Sequence, residues 1–342
     1  MYYFCDVNTN QKYIKRCIEI AKNGISNAMP NPSVGAVIVY NDTIIGEGFT
    51  SAYGGNHAEV NAINSVKDKS LLAKSTIYVS LEPCSHFGKT PPCCNLIIEH
   101  NIPNIVVGIL DSNKKVAGNG IKKLLEAGRN VTVGVLEKEC YQSNIRFFTF
   151  HEKKRPYIIL KWAETLNGFI APETRNDQKP VWITNEYSRQ LVHKWRSEEQ
   201  AILIGTQTVI DDNPKLDVRD WTGKNPVRIV LDLNNRIPKE NHIFDNQQET
   251  IVISDKNNIN KENLSQEIAN FLFSKNIQSV IIEGGNKTLQ TFIDSNLWDE
   301  ARIFVGNCTF ENGTKAPILN KMYQEKSETI DTDKLLIFKN YD

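Results

Sequence analysis

The chain of 342 residues carries 40 lysine and arginine residues against 40 aspartate and glutamate residues, so its formal net charge is zero. This balance argues against the basic surface of a nucleic-acid-binding protein, and no apolar run approaches the roughly 18 residues of a membrane-spanning helix. The seven cysteines are odd in number and unevenly spaced, which argues against a disulfide framework, and the N-terminus lacks the basic and apolar blocks of a signal peptide. We therefore expect a cytoplasmic protein whose thiols are available to a metal.

The pattern of predicted elements indicates two α/β domains, residues 1–150 and 151–342, joined at the polar and basic segment 151–156. In the first domain, apolar residues at helical spacing predict a helix over residues 10–26, and strands 34–40 and 43–49 form a hairpin. Strands and helices then alternate as a short helix from His57, strand 76–80, helix 92–100, strand 105–110, helix 120–127, strand 131–135 and a last helix 137–150.

The second domain repeats the alternation of strands and helices. A polar segment, 255–263, is expected to be a surface loop that leads into a helix. The other predicted elements are strand 157–163, helix 186–196, strands 201–204, 227–231, 250–254 and 279–283, a helix after Gly284-Gly285 and strand 301–305.

Four residues of the first domain suggest a catalytic metal site: His57, Glu59, Cys84 and Cys93. One imidazole and two thiols make a three-ligand zinc site, and catalytic zinc sites leave their fourth position open to water. Zinc activates that water by lowering its pKa toward about 7, and Glu59 could move the protons. His-x-Glu followed by Pro-Cys and a further cysteine is the signature of zinc deaminases that act on pyrimidine and purine rings.

Several alternatives stay open for the ligands. Cys94 competes with Cys93, but proline suits a helix entrance, where the partial positive charge favours a thiolate. Both Pro83-Cys84 and Pro92-Cys93 therefore suit a helix entrance. Cys93 is the favoured ligand, and Cys94 is then expected to fill the core. His86 could replace a ligand, although a loop histidine facing substrate or solvent fits better. A purely structural zinc site would not need Glu59.

Segments 31–35, 57–60 and 81–94 closely resemble the bifunctional deaminase/reductase of riboflavin biosynthesis. Eight residues separate Cys84 from Cys93, where cytidine and nucleic-acid deaminases typically place two. The second half resembles the reductase domain of the same family. The similar segments there are 161–168, 182–184, 205–209, 212–216 and 283–285, so that the resemblance extends from about residue 10 to about residue 340.

The resemblance implies two consecutive reactions. The first is the zinc-dependent hydrolytic deamination of 2,5-diamino-6-ribosylamino-4(3H)-pyrimidinone 5′-phosphate, and the second is the NADPH-dependent reduction of the ribosyl to the ribityl side chain. It also implies a three-layer cytidine-deaminase-like domain, a dihydrofolate-reductase-like α/β domain, one zinc ion per chain and a homodimer or homotetramer.

The resemblance further assigns binding residues. In the deaminase half, Asn31 and Lys89 would hold the pyrimidine substrate. The reductase residues assigned to substrate are Lys161, Pro180, Arg196, Leu216, Arg219 and Glu283. Those assigned to NADPH are Ala163, Trp182, Thr208, Asp212, Leu233, Gly285, Asn286, Lys287, Thr288, Leu289, Gln290 and Thr291.

Physical chemistry supports part of this assignment. Arginine forks match phosphate oxygens, and a glycine pair before a helix lets the backbone approach a phosphate closely. No Gly-x-Gly-x-x-Gly motif is present, so a Rossmann fingerprint is not expected.

Three positions depart from the family pattern. Asn167 stands where many relatives have aspartate, Pro180-Val181 replaces a more polar pair, and Leu233 replaces a small hydroxyl residue. These departures motivate the alternative of a deaminase whose C-terminal half is a non-reducing substrate-handling or assembly module. A nucleic-acid or nucleoside deaminase with a foreign second domain, and a non-enzymatic zinc scaffold, are further alternatives. The charge balance and the long loop between Cys84 and Cys93 argue against the nucleic-acid or nucleoside deaminase.

Overall fold

The computed structural model describes residues 3–87, 91–112, 118–174, 178, 180–257, 259–320 and 322–340, with side chains from residue 9 onward. The chain divides into two compact units, residues 1–153 and 154–342. The division lies three residues beyond the predicted boundary after residue 150.

The first unit is an alternation of helices and strands, as the sequence predicts. Its elements are α1 (Tyr3–Ala21), α2 (Ile25–Ala28), β1 (Gly35–Tyr40), β2 (Thr43–Phe49), α3 (Ala58–Ser65), β3 (Thr76–Leu81), α4 (Cys93–Glu99), β4 (Asn104–Ile109), α5 (Asn119–Glu126), β5 (Asn130–Val133), α6 (Glu137–Ser143) and α7 (Ile145–Lys153).

These strands form one five-stranded sheet in the order β2-β1-β3-β4-β5. The two pairs that include β1 are antiparallel, and the pairs β3-β4 and β4-β5 are parallel. Consecutive residues of β1 and β3 are buried, which means that helices cover both faces of the sheet. The predicted three-layer α/β domain is confirmed. The hairpin turn at Asn41 and Asp42 has positive φ at both residues, the geometry of a two-residue hairpin loop.

The last helix predicted for this unit, 137–150, was wrong in one respect, because two helices are present. The first ends before Asn144, and the second begins at Ile145. The Asn144 side chain accepts a hydrogen bond from the backbone amide of Ser33 at 2.9 Å and donates one to the Ser33 carbonyl at 3.1 Å. This long-range pairing fixes the break, and a local pattern cannot reveal it.

The second unit contains the remaining elements. They are β6 (Tyr157–Thr165), β7 (Phe169–Pro172), α8 (Glu186–Glu198), β8 (Ala201–Gly205), α9 (Thr206–Asp212), β9 (Val227–Leu231), β10 (Thr250–Ile253), α10 (Leu264–Ser274), β11 (Ser279–Ile282), α11 (Asn286–Asp294), β12 (Glu300–Gly306), β13 (Gly313–Lys315), β14 (Tyr323–Ile330) and β15 (Asp333–Lys339).

Eight of these strands form a mixed sheet in the order β10-β9-β8-β11-β6-β12-β15-β14. The six strands from β10 to β12 are parallel, and β15 and β14 add an antiparallel edge. The strands β7 and β13 form a separate two-stranded ribbon. Because the parallel strands run in one direction, their carboxyl ends meet at one edge, where open α/β sheets bind ligands. Within the described part of the chain, no helix is both long and apolar enough to cross a membrane.

Candidate active sites

In the first unit, the strand register collects the predicted zinc residues at one edge of the sheet. Gly35 at the start of β1 pairs with Phe49 at the end of β2, and Ala36 pairs with Val79 near the end of β3. The segments that follow β2 and β3 therefore leave the sheet on the same side. They carry His57, which precedes α3, and Cys84, which follows β3.

The three predicted ligands meet there. The His57 Nδ1 atom lies 3.5 Å from Cys84 Sγ and 3.4 Å from Cys93 Sγ. All three donor atoms lie within 4.8 Å of one another. A tetrahedral zinc ion with bonds of about 2.0–2.3 Å requires neighbouring donors about 3.5 Å apart. The donor set and its spacing therefore fit zinc, with three protein ligands.

Burial and the hydrogen bond between the two thiols set the charges of this cluster. Glu59 is 3% exposed, and burial together with the negative charge of Cys84 raises its pKa to about 7. A hydrogen bond from the Cys93 thiol lowers the pKa of Cys84 to about 4, and the pKa of Cys93 is correspondingly raised. The site thus holds a thiolate next to a carboxyl group that can carry a proton.

Two details of the ligand prediction can be compared with the structure. Cys93 opens α4 as expected, but Cys84 lies in a non-helical turn, so the predicted helix entrance at Pro83-Cys84 was wrong. The Cys84 thiol is instead held by the backbone amide of Cys93 at 3.3 Å. Cys94 is fully buried and lies outside the cluster, whereas His86 is exposed on the loop.

Of the two predicted pyrimidine-binding residues, the structure describes only Asn31. Asn31 is half-buried in the turn between α2 and β1, at the sheet edge that carries the zinc ligands. Lys89 lies outside the described residues.

Glu82 was not among the predicted site residues, although it directly precedes Pro83-Cys84. It is 4% exposed, and its carboxylate accepts hydrogen bonds from the backbone amides of Gly118 at 3.0 Å and Gly120 at 2.9 Å. An acidic residue between a buried strand and a predicted ligand is the signal that could have identified it.

In the second unit, three predicted substrate residues form a charged cluster at the carboxyl end of β11, next to the middle of β6. Both Glu283 carboxylate oxygens accept hydrogen bonds from the Arg196 guanidinium, at 3.2 and 2.9 Å, and Lys161 Nζ lies 3.8 Å away. Burial alone would raise the pKa of Glu283, but the charges of Arg196 and Lys161 lower it to about 2. Burial lowers the pKa of Lys161. The cluster carries two cations for one anion, which suits an anionic ligand.

Arg219 and Leu216 lie on the loop beside this cluster. The Asp217 carbonyl accepts a hydrogen bond from Arg196 at 3.3 Å, and its carboxylate accepts one from Arg219 at 2.6 Å. Leu216 has φ of 57°, and its side chain packs in the core with Ile202. A ligand could therefore meet Leu216 only through its backbone.

Two strand-to-helix turns pack against each other at the predicted cofactor site. The Gly285 amide donates a hydrogen bond to Thr208 Oγ1 at 3.0 Å, which joins the start of α11 to α9. A Cβ atom at Gly205 would lie 2.7 Å from Thr288 Oγ1, so a larger residue there would displace the Thr288 side chain. The Thr288 amide donates a hydrogen bond to the Gly285 carbonyl at 3.0 Å. The first amides of a helix generally lie outside its hydrogen-bond ladder, and such a helix start suits a phosphate group.

The last three residues of the predicted cofactor segment, Leu289, Gln290 and Thr291, also make contacts within the unit. Leu289 is 1% exposed and packs in the core, and the Thr291 hydroxyl donates a hydrogen bond to the Lys287 carbonyl at 2.8 Å. The Gln290 side chain bonds to Asp294 and to the backbone of Ile318. Asn286 makes such a contact too, because its Nδ2 donates a hydrogen bond to the Lys315 carbonyl at 2.6 Å. We call the start of the helix, residues 285–288, the predicted phosphate cradle.

The remaining predicted residues lie around the same sheet edge. Ala163 follows Lys161 by two positions on β6 and shares its face. Asp212 and Thr208 share a face of α9, whereas the partly buried Leu233 packs against the core. Trp182 is 54% exposed, with the Arg189 guanidinium 4.9 Å from its ring centre. Its neighbour in the same segment, Pro180, is also exposed.

Asn167, one of the departures from the family pattern, has a defined structural role. Its Oδ1 accepts a hydrogen bond from Thr165 Oγ1 at 2.7 Å, and its Nδ2 donates one to the Phe310 carbonyl at 2.7 Å. An aspartate could not donate the second hydrogen bond. The amide therefore fastens the turn after β6 to the segment after β12.

Comparisons with known proteins match both halves of the chain. The family model described as the RibD C-terminal domain matches residues 156–331. The model of the cytidine and deoxycytidylate deaminase zinc-binding region matches residues 7–109. Among curated proteins, the riboflavin biosynthesis protein RibD of Aquifex aeolicus is 36% identical, and the alignment covers 97% of this chain and 99% of that protein.

Two solved structures share the architecture over nearly the whole chain. A diaminohydroxyphosphoribosylaminopyrimidine deaminase/5-amino-6-(5-phosphoribosylamino)uracil reductase from Thermotoga maritima has a TM-score of 0.89 at 35% identity, covering 98% of this chain and 100% of that one. Acinetobacter baumannii RibD has a TM-score of 0.85 at 28% identity, with the same coverage of each chain.

Proposed function

Because the chain belongs to the RibD family of riboflavin biosynthesis, and is therefore a zinc-dependent deaminase and an NADPH-dependent reductase in one polypeptide, we propose which residues perform each reaction. The observation that carries this proposal is the meeting of His57, Cys84 and Cys93 beside the buried Glu59.

The deaminase reaction belongs to the first unit. His57, Cys84 and Cys93 would hold a zinc ion, which would supply a Lewis acid for the activation of water. The substrate would be the diaminopyrimidine ribotide, with its amino-bearing carbon as the reacting atom. Glu59 accepts a proton from that water and returns it to the amino group that leaves as ammonia. Asn31, at the same sheet edge, orients the pyrimidine ring, and Lys89 stays a predicted contact to the same substrate.

The reductase reaction belongs to the second unit. The phosphosugar binds beside Lys161, Arg196 and Glu283, with Arg219 as a further partner for the phosphate. The cradle 285–288 with Thr208 would hold the pyrophosphate of NADPH. The other residues that would contact the cofactor are Trp182, Ala163, Asp212 and Leu233. NADPH supplies the hydride, so these residues act by holding cofactor and sugar in position.

We further propose a cytoplasmic homo-oligomer with a small-molecule substrate and with neither a nucleic-acid nor a membrane partner. The zero net charge supports this proposal, as do the free cysteines at positions such as 17 and 140. Light scattering of the purified chain measures the oligomeric state directly.

A coupled assay tests the assignment of the two reactions. The zinc-loaded protein is given the diaminopyrimidine ribotide and NADPH, and ammonia and NADPH are followed together. We expect equal amounts of ammonia released and NADPH oxidised. Ammonia release without NADPH oxidation would instead favour a deaminase with a non-reducing second unit. The absence of ammonia release would contradict the deaminase assignment.

A matched pair of variants separates the two sites. Arg196→Ala should abolish NADPH oxidation and leave ammonia release unchanged, whereas Cys84→Ser should do the reverse when the deaminated intermediate is supplied. A loss of both activities in either variant would contradict the assignment of one reaction to each unit.

A further inference from the structure

Glu82 connects the zinc ligand Cys84 to helix α5. Its Oε2 atom accepts hydrogen bonds from the amides of Asp111 at 3.3 Å and Gly118 at 3.0 Å. Its Oε1 atom accepts them from Gly120 at 2.9 Å and Ile121 at 3.4 Å. The first N–H groups of a helix have no acceptor within the helix. The Glu82 carboxylate accepts hydrogen bonds from such groups at the start of α5, and hydrogen bonds to a charged acceptor are strong.

The start of α5 in turn contacts the turn that carries Cys84. A Cβ atom at Gly120 would lie 2.1 Å from the Pro83 carbonyl oxygen, so backbone touches backbone there. The Cys94 thiol donates to the same carbonyl at 3.2 Å and lies 3.5 Å from the Gly120 carbonyl oxygen. Glu82 and Gly120 thus hold Pro83 from the side of α5.

Helix α4 holds the turn from the other side. The Cys94 amide donates to the Cys84 carbonyl at 3.2 Å, and the Cys93 amide donates to the Cys84 thiol at 3.3 Å. Cys84 is therefore fixed between two helix starts. The contact with α5 depends on the charged side chain of Glu82. The contact with α4 uses only backbone and thiol groups.

We propose that Glu82 is a positioning residue for zinc: through α5 and Pro83 it holds the Cys84 thiol at ligand distance from His57 and Cys93. The inference rests on the proposed role of Cys84 as a ligand. Residues that orient metal ligands typically change the metal affinity about 10- to 100-fold when they are replaced.

Glu82→Gln tests the proposal with little change in volume. A carboxamide accepts hydrogen bonds only through its oxygen, so its NH₂ group would face two of the four amide donors in either orientation. We expect the zinc dissociation constant, measured by chelator competition in the full chain without substrate, to rise about 10- to 100-fold. Ammonia release should fall at limiting zinc and recover at saturating zinc, while reduction of the deaminated intermediate stays at the wild-type rate.

Two further variants complete the test. Gly120→Ala keeps the carboxylate at position 82, but its Cβ atom would lie 2.1 Å from the Pro83 carbonyl oxygen and 3.0 Å from Glu82 Oε1. It should therefore displace this contact and weaken zinc binding in the same way. Glu126→Gln, an exposed change at the other end of α5, should keep the wild-type zinc affinity. Wild-type affinity in both Glu82→Gln and Gly120→Ala would overturn the proposal.

A purely structural role gives a different result. If zinc loss in Glu82→Gln does not recover with added zinc, or if circular dichroism shows that the zinc-free variant is unfolded, Glu82 acts on the fold alone and the proposal is overturned. Because zinc affinity is read without substrate, a wild-type chain that releases no ammonia would count against the proposed function and leave this test valid.

Discussion

Glu59 and Glu82 are buried and Glu283 is partly buried. The three glutamates have different neighbours, and these neighbours decide what each carboxyl group can do. Glu59 lies beside a thiolate and has a raised pKa of about 7, which suits a group that exchanges protons. Glu82 faces backbone amides and serves as an acceptor. Glu283 faces two cations that lower its pKa to about 2 despite burial, which makes it a fixed anion. Charge at these positions follows from contacts and not from residue type.

The role of Glu59 predicts a separation of metal binding from catalysis. Glu59→Gln keeps the volume and removes the group that carries the proton, while the three zinc donors stay in place. We expect full zinc content by elemental analysis and a fall in ammonia release of at least about 100-fold. The reduction of supplied intermediate is the internal control and should not change. Near-normal ammonia release in this variant would contradict the proton-transfer role.

His193 predicts how the stability of the second unit depends on pH. This histidine is 1% exposed, and burial, together with the positive charges of Arg196 and Arg219, lowers its pKa from 6.5 to about 4, although Asp220 lies 3.4 Å away. Between these pH values the unfolded chain binds a proton that the folded chain does not. Stability contributed by neutral His193 is therefore present above pH 6.5 and is lost as the pH falls toward 4.

Urea denaturation at pH 7.5 and pH 4.5 measures this loss. Relative to His193→Gln, the wild type should lose about 2 to 3 kcal/mol of unfolding free energy between these pH values. The matched control is His242→Gln, because His242 is exposed in the same unit. The same pH dependence in wild type and His193→Gln would show that His193 does not titrate as described.

At the scale of elements, the sequence predicted the strands and helices that are marked by a pattern of neighbouring residues. The hairpin of β1 and β2 and the strands at 227–231 and 279–282 have apolar runs and turn residues that fix them, and they occur where expected within a residue or two. Strand β14 was missed because most of its residues are exposed and polar, so no alternation marks it. The antiparallel pairing with β15 defines this strand, because its own sequence has no strand pattern.

The zinc ligands were predictable for the same reason, since their types and spacing lie in two short segments. The contacts that support them are different. Glu82 meets amides 29 to 39 residues away, and Asn144 meets Ser33 across 111 residues. Such partners become visible only when the chain has folded.

The break between α6 and α7 gives a prediction about stability. Asn144 is 5% exposed, so Asn144→Ala would leave the buried amide and carbonyl of Ser33 without partners. We expect a loss of about 2 to 4 kcal/mol in the unfolding free energy of the first unit, measured by urea denaturation. Asn130→Ala is the control, because the Asn130 side chain bonds to Asn104 on an exposed surface, and it should change stability by less than about 1 kcal/mol. Equal effects would contradict the proposed importance of the break.

The start of α11 gives a prediction about cofactor binding. A Cβ atom at Gly285 would make only ordinary contact, 3.6 Å from Thr208 Oγ1, so Gly285→Ala should fold normally. If the pyrophosphate lies against this backbone, the added methyl group should raise the KM for NADPH about 10-fold or more, because even one methylene in a tight contact changes binding by about 1 to 3 kcal/mol. Thr291→Ala, in the next turn, should leave the KM unchanged. A larger effect at Thr291 than at Gly285 would place the cradle elsewhere.

At the scale of the molecule, the residues of each described charged or metal-binding cluster belong to one unit. All three zinc donors and Glu59 belong to residues 1–153, and the Lys161, Arg196 and Glu283 cluster belongs to residues 154–342. Each unit also has its own sheet and its own hydrophobic core. No described residue of the second unit is needed to complete the zinc site, so the two reactions should be separable in the intact chain.

Zinc removal tests this separation without any mutation. A strong chelator followed by dialysis should abolish ammonia release from the diaminopyrimidine ribotide, because the thiol and imidazole donors no longer hold a Lewis acid. The same sample should reduce supplied deaminated intermediate with NADPH at close to its original rate, because hydride transfer depends on groups of the second unit alone. Ammonia release should return when one equivalent of zinc per chain is added. If chelation also stops NADPH oxidation, and zinc restores both rates together, the two sites depend on each other and the division of the reactions between independent units is wrong.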